Sequence, residues 1–135
     1  MANILILEDN PETAFQLASM LETAGHDTIW CRDAAEAFAA YDRDSCDLII
    51  ADVFVRKGRK SEPEGLTFIG KTAILEKNAP NKTPIIAISG VGHKEYNPYV
   101  LANARSFGAQ FTLEKPITES TLFETVAQAL RLDET

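Results

Sequence analysis

Three stretches of this chain are apolar at every position, and each runs into a residue that carries a charge or a hydroxyl. Ile4-Leu5-Ile6-Leu7 leads into Glu8-Asp9, Leu48-Ile49-Ile50-Ala51 into Asp52, and Pro84-Ile85-Ile86-Ala87-Ile88 into Ser89. Continuous rather than alternating apolar character marks strands buried on both faces, as in a parallel sheet clad with helices. A fourth stretch, Gln110–Leu113, is followed by Glu114-Lys115-Pro116, and Thr28–Cys31 reads as a short strand.

Helical patterns fill the gaps. Asn10 offers an N-cap side chain before Pro11, and Ala14, Leu17, Leu21 and Ala24 repeat at helical spacing up to Gly25. Asp33-Ala34-Ala35-Glu36 is a capping-box pattern for a second helix to about Tyr41. Leu66, Ile69 and Ala73 mark a third helix ending near Asn78. A fourth runs from Asn97-Pro98 to Phe107, where Gly108 stops it. Thr118 caps a fifth with Leu122, Val126 and Leu130 on one face. The order is (βα)5, which predicts an α/β three-layer sandwich around a parallel five-stranded sheet. The aromatics Trp30, Phe15, Phe38 and Phe123 are expected in the core or between helices.

The 135 residues suit one domain, 1–135, with no output domain expected in this chain. No apolar run approaches the ~18 residues that span a bilayer, and Met1-Ala2-Asn3 lacks the basic region of a secretory signal. A cytoplasmic protein without membrane association is expected. The net charge of −7 argues against a nucleic-acid-binding surface. Cys31 and Cys46 have neither metal-ligand spacing nor a disulfide framework and read as reduced structural cysteines.

Sheets of this kind bind ligands beyond the carboxyl ends of their strands. Glu8, Asp9, Asp52, Ser89 and Lys115 all fall there. Three carboxylates packed together repel one another, so a cation is expected among them. Oxygen-only ligands suit Mg²⁺, with Mn²⁺ the other fit. A carboxylate can accept a phosphoryl group as an acyl phosphate. Lys115 would then pair with phosphoryl oxygens, and the Ser89 hydroxyl could hydrogen-bond one of them. Taken singly, Glu8-Asp9 would be a charge at a helix start, Ser89-Gly90 a turn and Lys115-Pro116 a loop. Their joint placement at successive strand ends carries the reading.

With these residues in place, the chain resembles the receiver domain of two-component response regulators over almost its full length. The matching segments are Ile4–Asp9, Asp47–Asp52, Pro84–Gly90, Gly108-Ala109 and Leu113–Pro116. The resemblance implies a flavodoxin-like fold with strand order 2-1-3-4-5 and a cis Lys115-Pro116 bond. It implies that Asp52 accepts a phosphoryl group from the phosphohistidine of a sensor histidine kinase or phosphotransfer protein. Glu8, Asp9, Asp52 and the backbone carbonyl of Phe54 would hold Mg²⁺. Ser89 would be the switch hydroxyl and Lys115 the phosphate-pairing lysine. The chain would catalyse only its own phosphorylation and slow dephosphorylation, as a monomer or weak dimer. Its readout would be a surface around the fourth helix, fifth strand and fifth helix, offered to a downstream protein.

Two departures stand out. The family's aromatic switch position, three before the lysine, holds Thr112, and Phe111 should face the other side of the sheet unless a bulge intervenes. From Asp52 to Gly65 the chain runs roughly five residues longer than the family's usual loop. That stretch carries Arg56, Lys57, Arg59 and Lys60. It reads as a solvated loop or, more sharply, as a basic flap for an anionic partner or for shielding an acyl phosphate. A phosphorylation-independent interaction module is the alternative function. An aspartyl-phosphate hydrolase fits poorly, because Phe54 stands where its second acid would be.

Overall fold

A computed structural model describes residues 1–57, 60–62, 64–90 and 98–131, with backbone only for 56–57, 60–62 and 98–100. The elements follow in the order β1 (Asn3–Leu7), α1 (Pro11–Thr23), β2 (Asp27–Cys31), α2 (Ala34–Arg43), β3 (Leu48–Asp52), β4 (Val55–Lys57), β5 (Lys60–Glu62), α3 (Glu64–Leu75), β6 (Ile85–Gly90), α4 (Pro98–Phe107), β7 (Phe111–Lys115) and α5 (Glu119–Arg131). Five strands pair in the order β2-β1-β3-β6-β7, every pair parallel. Counted within that sheet alone, this is the expected 2-1-3-4-5.

The apolar runs are continuous because each strand feeds two cores. In β1, Leu5 and Leu7 join Ile49, Ala51, Ile85, Ala87 and Phe68 on one face. Ile4 and Ile6 join Ile50, Ile86, Ile88 and Leu122 on the other. Residues of α2, α3 and α4 cover the first face, and residues of α1 and α5 the second. Each fully buried Leu or Ile side chain contributes about 1.5–3 kcal/mol, so the two faces together hold the strand ends where the polar residues emerge.

Local chemistry sets the helix ends. Asn10 Oδ1 accepts from the N–H groups of Glu12 and Thr13 at 2.9 and 3.2 Å, ahead of Pro11. Asp33 Oδ1 accepts from Glu36 N–H at 2.8 Å. Gly108 ends α4 at φ +137°, and a Cβ there would lie 2.7 Å from the Ala73 Cβ, so both backbone and packing demand glycine. The Lys115-Pro116 bond is cis, as the family resemblance implied.

Three expectations change. The stretch after Asp52 is not a plain loop, because its backbone forms an antiparallel hairpin that pairs Val55 with Glu62, Arg56 with Ser61 and Lys57 with Lys60. Arg59 and the side chains of the other three basic residues lie outside the described residues, as does Asn97, the expected start of the fourth helix. Phe15 is not in the core: it projects from α1 with 72% of its surface exposed. Trp30 is partly outside too, because β2 is an edge strand with less cover. Phe38 does pack as expected, edge-on to Phe68.

Candidate functional site

The parallel register brings the ends of β1, β3, β6 and β7 to one rim. Asp52 is the last residue of β3, opposite Ile88, and is 6% exposed. Its Oδ1 accepts from Phe54 N–H at 3.0 Å, which orients the carboxylate over the turn that follows. Glu8 comes one residue after β1 and is fully buried, with Oε1 accepting from Asn10 N–H at 3.1 Å. Asp9, next along, is half-buried. Carboxylate oxygens of Glu8, Asp9 and Asp52 lie within 4.8 Å of one another.

Lys115 closes β7 and reaches into this group. Its ammonium donates to Asp52 Oδ2 at 2.6 Å and lies 2.7 Å from Glu8 Oε2. The ammonium therefore bridges the two buried carboxylates, paired with each at hydrogen-bonding distance. Burial pushes the Glu8 carboxyl up to about 8, and the charge of Asp52 adds to the rise while Lys115 opposes it. Burial works to lower the Lys115 ammonium, but Asp52 and Glu8 outweigh it and hold its pKa above the ordinary lysine value. One cation thus serves the two most buried of the three acids, in a site where little water enters.

Ser89 is 3% exposed in β6, one residue before Gly90, which pairs with Lys115. The carbonyl side of Asp52 is fixed from α3. A Cβ on Gly65 would fall 1.6 Å from the Asp52 carbonyl oxygen, and Leu66 N–H donates to Val53 O at 3.2 Å. The helix can approach the strand end only because residue 65 has no side chain. Gly65 appears in the sequence as a spacing marker, with nothing to reveal this contact.

Thr112 pairs with Ala87 and Phe111 with Ile86 in an unbroken ladder through Lys115, so no bulge turns Phe111 around. Phe111 packs into the core under α1 and α5. The guanidinium of Arg105 in α4 lies 3.5 Å from Thr112 Oγ1, a long contact on the opposite face. Sequence reasoning also missed Trp30 as a neighbour of the site: its indole N–H donates to the Glu8 carbonyl at 2.7 Å.

A (βα)5 sheet with this acidic rim and lysine defines a class, and the sequence agrees with it. The response regulator receiver domain family matches residues 4–127, and the chain belongs to that family, the receiver domains of two-component response regulators. The chain is 28% identical to the protein PilH of Pseudomonas aeruginosa over 130 residues, covering 96% of this chain and 98% of PilH. It is 29% identical to the nitrogen assimilation regulatory protein NtrX of Azorhizobium caulinodans over 95% of this chain but only 26% of NtrX. Among solved structures, the receiver domain of NtrX from Brucella abortus superposes with a TM-score of 0.79 at 27% identity, covering 95% of this chain and 98% of that one. Among the described residues no helix is long and apolar enough to cross a membrane.

Proposed function

We propose that this receiver domain takes a phosphoryl group onto the Asp52 carboxylate from the phosphohistidine of a histidine kinase or phosphotransfer protein. The observation that carries this is the Lys115 ammonium 2.6 Å from Asp52 beside two further acids. In the transfer an Asp52 oxygen bonds to phosphorus, the phosphorus–nitrogen bond of the donor breaks, and the imidazole leaves with its electron pair and takes up a proton. Lys115 then exchanges a carboxylate contact for the phosphoryl oxygens, and the buried Ser89 hydroxyl is available to bond one of them.

The residues fit a divalent cation. Carboxylate oxygens of three acids gather within 4.8 Å of one another, and the donor set is all oxygen, which suits Mg²⁺ or Mn²⁺. Glu8, Asp9 and Asp52 would hold it, with the Phe54 backbone carbonyl as a further ligand. Such a cation supplies charge neutralisation for the approaching phosphate. The chain's own catalysis ends at phosphorylation and slow dephosphorylation of itself.

Phosphorylation would change the surface offered to a downstream protein. Thr112 cannot act as a rotating ring, so Ser89 would carry the switch without an aromatic partner at that position. The basic hairpin would meet an anionic partner or shield the acyl phosphate. Neutralising Arg56, Lys57, Arg59 and Lys60 together should slow phosphotransfer or weaken partner binding, and unchanged rates and binding would remove that role.

The direct test is the intact mass after incubation with acetyl phosphate and Mg²⁺. One phosphoryl adduct, lost in Asp52→Asn, supports the reading. No adduct under any condition would favour a phosphorylation-independent interaction module. Continuous rapid turnover would favour a hydrolase.

A further inference from the structure

We propose that Trp30 is a positioning residue for Glu8, and that through this contact the chain's sole tryptophan reports what occupies the acidic cluster. The inference rests on the reading of that cluster as a divalent-cation site. Pairing along β1 ends at Leu7, opposite Cys31 and Ala51. Beyond it, both backbone polar groups of Glu8 are tied to the neighbouring edge strand. Glu8 N–H donates to Cys31 O at 3.0 Å, which is main chain. The Glu8 carbonyl accepts from the indole at 2.7 Å, which is side chain. The backbone must turn here from strand into the Asp9–Pro11 helix start, and the indole holds it at the turn.

The ring itself is braced. The Arg32 guanidinium carbon lies 5.2 Å from its centroid, on a residue that is 39% exposed. A tryptophan serving only to cover an edge strand would have no need to aim its N–H at a site residue's carbonyl while leaving so much of its ring outside. An indole has two side-chain torsions, so it fixes a neighbouring peptide at little cost in entropy. Mg²⁺ demands near-ideal octahedral geometry, so the placement of a buried ligand's backbone bears on its affinity.

The test compares full-length wild type with Trp30→Phe, which keeps an aromatic ring and removes the donor. Mg²⁺ binding is measured by calorimetry, and wild-type tryptophan emission is followed as Mg²⁺ is added. Expected are an Mg²⁺ affinity weakened by about 3- to 10-fold in a variant with unchanged circular dichroism, and an emission change saturating at the calorimetric Kd. A folded Trp30→Phe protein binding Mg²⁺ within about twofold of wild type would reduce Trp30 to packing and overturn the proposal. Should that variant fail to fold, the wild-type emission decides: no change at saturating Mg²⁺ overturns the proposal. Wild type that binds no Mg²⁺ at all brings down the cation reading itself, an outcome distinct from the other two.

Discussion

The molecule has polar clusters at both ends of its sheet, and they are built in opposite ways. Near the amino ends of the strands, Glu76 just after α3 accepts from the Tyr41 hydroxyl of α2 and from both the N–H and the hydroxyl of Thr83 ahead of β6. Every donor there is neutral, and one carboxylate serves them all. At the carboxyl ends, three carboxylates gather within 4.8 Å, and one ammonium bridges two of them, Glu8 and Asp52. The first arrangement satisfies its charge and joins three elements. The second leaves negative charge in excess where water is scarce, which is poor for stability and suited to binding a cation and a phosphate.

The largest effect is expected at Gly65, beneath the acidic rim. Gly65→Ala puts a Cβ into the Asp52 carbonyl, so α3 or the strand end must move. We expect a loss of more than about 3 kcal/mol in urea unfolding, together with loss of Asp52 phosphorylation. Wild-type stability would mean that α3 does not pack as described. Lys115→Met comes next, since it takes from Glu8 and Asp52 the cation that pairs with both. In Mg²⁺-free buffer it should cost about 2–4 kcal/mol, and Mg²⁺ should restore part of that. A variant as stable as wild type without Mg²⁺ would show that the cluster is not strained.

Glu76→Ala tests the other end. Losing its three hydrogen bonds should lower stability by about 1–3 kcal/mol while the phosphoryl adduct forms at the wild-type rate. A parallel loss of phosphorylation would mean that the two clusters are coupled through the sheet. The smallest effect concerns Cys46, whose thiol is pushed up to about 11 by burial and then by the charge of Glu76. At pH 8 about one thiol in 1,000 is then thiolate, so alkylation should be slow and should quicken as pH rises toward 11. Glu76→Gln should shift that profile to lower pH, and an unmoved profile would rule out the charge contribution.

Much of this was legible because buried parallel strands leave a strong signature. Three continuous apolar runs marked the central strands, and the polar residues that follow them, with Lys115 before Pro116, gave the rim. Alternation along Phe111–Lys115 separated Phe111 from Thr112 correctly, since a regular ladder leaves no freedom in facing. The hairpin was invisible because Val55–Glu62 is dominated by charge, with no apolar alternation to mark strands. Trp30 and Phe15 misled for a related reason. Apolar character implies burial only where a covering element exists, and β2 lies at the sheet edge while Phe15 faces away from the core of α1. The roles of Gly65 and the Trp30 N–H depend on approaches between distant segments, which spacing along one chain does not encode.

The central claim is that Asp52 is the group that takes up phosphate. Borohydride reduces an acyl phosphate of aspartate to homoserine, so peptide mapping after treatment with acetyl phosphate, Mg²⁺ and borohydride locates the acceptor. Homoserine is expected at position 52 alone, and absent when Mg²⁺ is omitted. Reduction at Glu8 or Asp9 instead, or none anywhere, would contradict it.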